Sequence, residues 1–135
     1  MIGQGLYQFL AAANEVVKLC QQRIYPNVAP HDAAYPFLVY SRISCQDVIG
    51  LKGPTRLTKA RVQIDSYAPD YATADRLADA VRIVLNGYAG PMGPYVCKGA
   101  CRDYLQDIYH PPQTADDIGL HRVRQDFWVP YEEIT

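Results

Sequence analysis

Residues 58–87 place the strongest constraint on the fold, because they join a strand directly to a helix. Ala60, Val62 and Ile64 alternate with polar residues, and successive strand side chains point to opposite faces, so this strand has one apolar face. An apolar stripe at three- and four-residue intervals follows, which predicts an amphipathic helix that covers that face. The stripe consists of Tyr71, Ala74, Leu77, Ala78, Val81, Val84 and Leu85.

Short sequence signals mark both ends of this helix. Pro69 cannot continue a hydrogen-bonded strand, and the Asp70 side chain is suited to accept a hydrogen bond from the first turn of a helix. The helix is expected to end at Asn86-Gly87.

The remaining segments predict one further helix and three further strands. The helix covers about residues 3–21, and the strands cover Phe37–Ser44, Tyr95–Tyr109 and Leu120–Tyr131. Two hairpins and two helices predict a single α+β domain over residues 1–135, in the order helix-strand-strand-helix-strand-strand. We expect a mostly antiparallel four-stranded sheet with two helices packed on one face.

The segment between the first two strands, Gln46–Leu57, is expected to be a long hairpin loop instead of a tight turn. Its aliphatic residues lack a strand pattern, so they are candidates for contact with a partner, although they can equally pack on their own domain. The candidate assembly loop consists of Val48, Ile49, Leu51 and Lys52.

The face of the sheet opposite the helices is expected to be polar. Such a face is usually solvated, but aromatic residues on it favour burial against another subunit. The chain also has 11 tyrosines and only 3 phenylalanines, a bias that suits either half-buried contacts or the rim of a small core. The candidate subunit-interface face consists of Arg42, Arg61, Gln63, Asp65, Tyr67, Arg122, Arg124 and Trp128.

Charge and hydropathy argue against two kinds of binding, tight binding to nucleic acid and insertion into a membrane. The formal net charge is −1, with 13 basic and 14 acidic residues, which argues against tight nucleic-acid binding as the main task. No apolar run approaches the roughly 20 residues that span a bilayer, so no membrane association is expected. The chain is expected to be made and kept in a cytoplasm, with its four cysteines reduced.

No motif indicates catalysis, a metal or a cofactor. Cys97 and Cys101 would lie about 13 Å apart on a strand, too far for a disulfide or a shared metal. The histidines have no local nucleophile pattern, and no phosphate loop or dinucleotide-binding glycine pattern is present. Asp116-Asp117 is expected to be a solvated acidic pair and not a cation site. The chain is therefore predicted not to be an enzyme and to need no cofactor.

Taken together, the order of these signals resembles the tail completion proteins of long-tailed bacteriophages and prophages, a group similar to the tail terminators. The resemblance covers nearly the whole chain, and it consists of structural patterns and not of a chemical signature. It rests on a first helix followed by Arg23–Pro26, Tyr35–Tyr40, Ala60–Ala68, Tyr71–Val81 and Gly119–Val129.

This resemblance implies a structural protein of the virion neck or tail, assembled in the bacterial host cytoplasm. It implies a homo-oligomeric ring, typically a hexamer, that caps the head-proximal end of the tail tube. Partners would be the major tail tube protein and the head connector or neck proteins, with DNA only as passing cargo. Two alternatives stay open: a connector-bound head-completion protein, and a small non-viral ligand-binding or regulatory α+β module.

Overall fold

The computed structural model describes residues 2–114 and 119–133. It contains three helices, α1 (Ile2–Ala12), α2 (Asn14–Cys20) and α3 (Tyr71–Leu85). The acidic pair Asp116-Asp117 lies outside the described residues. The seven strands are β1 (Ile24–Pro26), β2 (Phe37–Gly50), β3 (Gly53–Ala68), β4 (Gly90–Met92), β5 (Tyr95–Cys97), β6 (Cys101–His110) and β7 (Leu120–Glu133).

All seven strands belong to one mixed sheet. The order is β1-β2-β3-β7-β5-β4, and β6 pairs with β7 beside β5. The short β1 runs parallel to β2, whereas every other pair is antiparallel. The long strands β2, β3, β7 and β6 therefore form a four-stranded antiparallel unit, to which three short strands are added at the edges.

The core lies between this sheet and the helices. In β3, the register places Val62 opposite Phe127 and Ala60 opposite Val129, and all four residues are buried. Residues that face each other across an antiparallel pair share one face, so these side chains form the floor of the core. Leu77 and Val81 of α3 belong to the same buried cluster. We call this side of the sheet the helix face.

The predicted strand-helix unit is confirmed. Ala60, Val62 and Ile64 are buried, and α3 ends one residue before Asn86-Gly87. The Asp70 side chain accepts a hydrogen bond of 3.0 Å from the Thr73 amide, as expected of a helix cap. Tyr71, in contrast, is largely exposed because it lies at the very start of the helix.

The prediction of one continuous first helix is wrong, because the chain breaks at Ala13. That residue is extended, with φ −82° and ψ 112°. A continuous helix would carry the buried stripe of Ile2, Leu6 and Leu10 on to Ala13 and Val17, whereas in the structure Val16 is buried and Val17 only half-buried. The break changes the direction of the chain, so that Val16 and Cys20 are the buried residues of the second helix.

The prediction of only four strands is also wrong, because the sheet is larger and mixed, with seven strands and one parallel pair. Gln46–Leu57 is not a loop: β2 and β3 continue to a two-residue turn at Leu51-Lys52. The predicted single strand Tyr95–Tyr109 is divided into β5 and β6, with Gly99 at φ +132° between them, a conformation that favours glycine. A further short strand, β4, lies between α3 and β5.

Candidate functional site

The first candidate surface is the far end of the β2–β3 hairpin. The described pairing of β7 with β3 begins at Leu57, so residues 48–56 have no strand partner outside their own hairpin among the described residues. We call this segment the arm. The Thr55 hydroxyl donates a hydrogen bond of 2.6 Å to the Val48 carbonyl, which ties the two strands of the arm together near its turn.

The arm carries exposed aliphatic side chains. Leu51 is fully exposed at the turn, Ile49 is 74% exposed, and Val48 is half-buried. Lys52 is exposed beside Leu51. The structure therefore brings together all four residues of the candidate assembly loop, on a hairpin and not on an irregular loop.

The second candidate surface is the polar face of the sheet, opposite the helix face. Here the fully buried Asp126 accepts hydrogen bonds from Arg61 and from Arg124. Asp103 on β6 forms a further ion pair with Arg61. These hydrogen bonds, first that to Asp103 and then those to Asp126, raise the pKa of the Arg61 guanidinium. The centre of the polar face is therefore a charge network made within one chain.

A second ion pair lies at the other end of the polar face. The Asp65 Oδ2 atom accepts hydrogen bonds of 3.2 Å from Arg122 Nη2 and 2.7 Å from Gln63 Nε2. Asp65 Oδ1 and Arg122 Nε are buried and have no hydrogen-bond partner among the described residues. Burial raises the pKa of the neighbouring Tyr67 hydroxyl, an effect that the charge of Arg122 opposes.

Each of the three arginines also covers an aromatic ring. The distances from guanidinium carbon to ring centroid are 5.3 Å for Arg61 on Trp128, 5.7 Å for Arg122 on Tyr67 and 5.3 Å for Arg124 on Tyr104. Distances below about 6 Å are typical of cation–π contacts. Trp128 is nevertheless 37% exposed, so part of its ring is available to another molecule.

Seven of the eight residues predicted for the interface share the polar face, and Arg42 does not. Arg42 lies opposite Val62 and therefore on the helix face, where its side chain is exposed. The set of interface residues predicted from the sequence omitted Asp126, although the alternation with Arg124 and Trp128 indicates the same face. Asp103 could not be found in this way, because a register shift between Arg102 and Tyr104 interrupts the alternation at that point.

In the described ranges 2–114 and 119–133, no cluster of histidine, cysteine and acidic residues is suited to hold a metal ion. No helix in the same ranges is long and apolar enough to cross a bilayer. The polar groups of the sheet are instead engaged with one another, which suits a structural surface.

Comparison with known proteins identifies the family. A family model described as "Tail completion protein gp17" matches residues 4–131. A chain of a solved structure described as "Virion of native gene transfer agent (GTA) particle" has the same fold, with a TM-score of 0.72 and 21% sequence identity. That match covers 94% of this chain and 91% of the other. No curated protein sequence matches the chain.

The family match confirms the resemblance that the order of helices and strands indicated. It spans both candidate surfaces, the arm and the polar face, and nearly all of the chain. Members of a tail completion family are structural and not enzymatic. The polar network therefore belongs to a virion protein that associates with other tail or head proteins. This chain belongs to the phage tail completion protein family gp17.

Proposed function

We propose that the protein closes the head-proximal end of the tail tube as a homo-oligomeric ring, with six copies expected. One surface of the ring contacts the major tail tube protein, and another contacts the head connector or neck proteins. DNA passes through the ring without being bound tightly, in keeping with a net charge near zero. Assembly takes place in the cytoplasm of the bacterial host.

The observation that carries this proposal is the arm. A hairpin that has no further strand partner among the described residues, and that exposes Ile49 and Leu51, is poorly stabilised by its own domain. Exposed aliphatic residues at the end of such a hairpin gain free energy when a partner covers them. We therefore assign the arm to the contact with the tail tube or with the next copy in the ring.

The polar face serves as a second, weaker contact surface in this proposal. Its three arginines already pair with acids of their own chain, so their charges hold the sheet together. The part that is left for a partner is the exposed area of Trp128 and its surroundings. Repeated around a ring, such modest contacts add to a firm assembly.

The test is the mass of the purified protein by light scattering, alone and after mixing with its tail tube protein. We expect a ring, or a monomer that assembles only on the tube. A protein that stays monomeric and does not bind the tube contradicts the proposal. Adding the connector protein to the same assay tests the connector-bound alternative.

Two matched variants test the arm itself. Leu51→Asp places a charge on the fully exposed turn residue and should abolish binding to the tube or to other copies. Val28→Asp makes the same kind of change at a residue that is 77% exposed elsewhere on the surface, and it should leave assembly intact. Equal assembly of both variants removes the arm from the proposed interface.

A further inference from the structure

The antiparallel unit of β2, β3, β7 and β6 has two open edges. β1 occupies the outer edge of β2 only at Leu38, Val39 and Tyr40, so the edge from Ser41 to Gly50 has no strand partner within the described chain. On the opposite side, β6 pairs with β7 alone. Asn86 accepts a hydrogen bond from the Arg102 amide at the start of β6, and no described strand lies beyond it. Long open edges readily pair with another strand.

We propose that the open edge of β2 in one copy pairs with the open edge of β6 in the next copy, which makes a sheet that continues around the ring. This inference rests on the proposed ring and specifies its interface. The strand directions allow it: β2 and β6 are antiparallel to each other across the unit, so a neighbour placed by rotation offers β6 antiparallel to β2. Such a contact joins two different edges, and it closes by rotation instead of stopping at a dimer.

Charge complementarity selects one register. On β2, Arg42 and Asp47 both lie on the helix face, opposite Val62 and Thr58. On β6, Arg102 and Asp107 lie on the same face, opposite Phe127 and Val123. Among the described residues none of these four charges forms an ion pair. Asp47 and Asp107 each accept one hydrogen bond from a hydroxyl, and Arg102 donates one to Gln125.

The spacing of the charges matches on the two edges. Arg42 and Asp47 are four ladder steps apart because a register shift lies between Arg42 and Ser44. Arg102 and Asp107 are also four ladder steps apart, because of the shift between Arg102 and Tyr104. An antiparallel pairing that places Arg42 beside Asp107 of the next copy therefore places Asp47 beside Arg102. Moving the register by two residues in either direction loses both attractive pairs.

This register displaces the neighbour's β6 along β2 toward Gly50, so that residues 101–108 lie beside residues 48–41. Tyr109 and His110 would reach Tyr40 and Val39, which already pair with β1, so the proposed pairing ends at Ile108. Strands in closed sheets tilt by roughly 35–45° to the axis, so a displacement of several residues between neighbouring units is expected. The same register places Cys45 opposite Leu105, and both are exposed in the single chain. All the helices then lie on one side of the closed sheet.

A charge exchange tests the register. We expect Arg42→Asp and Asp107→Arg each to weaken assembly roughly tenfold, because each places like charges side by side across the strands. The double variant, which exchanges the two charges, should recover assembly. Arg76→Asp and Asp75→Arg make the same changes at exposed positions of α3 and should have no effect. The recovery in the double variant shows that the single variants fail by repulsion and not by misfolding.

Cysteine crosslinking provides an independent measurement. In a Cys101→Ser background, Leu105→Cys should form a disulfide with the native Cys45 of the next copy under mild oxidation. A contact between different edges gives a ladder of dimers, trimers and larger products on a non-reducing gel, and Cys45→Ser removes the ladder. Products that stop at dimers would overturn the proposal.

The outcomes separate this inference from the proposed function. If the wild-type protein assembles but the charge variants have no effect, or the double variant does not recover, the edge pairing is wrong and the ring remains. If the wild-type protein never assembles, alone or with the tube, the ring and the edge pairing both fail.

Discussion

The Arg61 guanidinium donates hydrogen bonds of 3.0 and 3.3 Å to one oxygen of the Asp126 carboxylate, across the pairing of β3 with β7. Asp126 is fully buried, whereas about a quarter of the Arg61 side chain is exposed. Arg124 donates two further hydrogen bonds of 3.1 Å to the same carboxylate. One buried acid therefore accepts hydrogen bonds from two arginines on the polar face.

Asp126→Asn should destabilise the protein by about 2–3 kcal/mol. The change keeps the size of the side chain but removes the charge, which leaves two partly desolvated arginines with only neutral acceptors at this position. The free energy of unfolding, measured in urea, checks this value. Asp103→Asn is the matched control. That carboxylate is 42% exposed, so its ion pair with Arg61 should contribute less than about 1 kcal/mol. Equal losses in the two variants would contradict the role assigned to burial.

The helix cap predicts a pH dependence of stability. Hydrogen bonds from the Thr73 hydroxyl and amide lower the pKa of Asp70 from its ordinary value of 3.8. A carboxylate whose pKa is lowered by folding stabilises the protein above the unfolded pKa, and that contribution is lost as pH falls through the folded value. We expect wild type to lose stability relative to Asp70→Ser as pH falls below about 4, because serine caps without titrating. Urea midpoints between pH 3 and 7 test this, and a constant difference would count against it.

The alternation and the helical stripe were sufficient to predict the segment from Thr58 to Gly87. Each depends on local geometry alone, and the cap at Asp70 followed from the same local rule. The arm was missed because its strands have no covered face. Ile49 and Leu51 are both exposed, so no apolar alternation marks them as strand residues.

For the candidate interface, the sequence predicted which residues share a face but not which residues they contact. The period-two rule placed Arg61, Arg122 and Arg124 on one face correctly. It could not foresee that their acidic partners lie in the same chain, because Asp103 reaches Arg61 only through an irregularity in β6. The pattern of a strand predicts which side chains share a face, but the partners of those side chains depend on how distant strands are aligned.

The four thiols should differ sharply in reactivity. Burial raises the pKa of Cys20 from 9.0 to about 11 and also raises that of Cys97, whereas Cys45 and Cys101 are exposed. Because the thiolate is the reactive form, the native monomer at pH 8 should react quickly with a disulfide reagent at Cys45 and Cys101 only. All four should react in urea. Absorbance counts the released thiols, and the Cys45→Ser variant should lose one of the two fast groups. Fast reaction at Cys20 in the native state would show that α2 opens readily.

Gly5 sets how closely α1 approaches the turn between β4 and β5. A Cβ atom built on Gly5 would lie 2.9 Å from a ring carbon of Tyr95 and would also collide with the backbone carbonyl of Met92. Gly5→Ala should therefore destabilise the protein by about 1–3 kcal/mol, the usual cost of overpacking a core. Gly3→Ala is the matched control, since a Cβ atom there meets no atom within 4 Å. In the same helix, that variant should gain up to about 1 kcal/mol from reduced backbone freedom in the unfolded chain. Urea unfolding of both variants measures the difference. If both variants lose stability, the contact with Tyr95 is not the reason that alanine is unfavourable in α1.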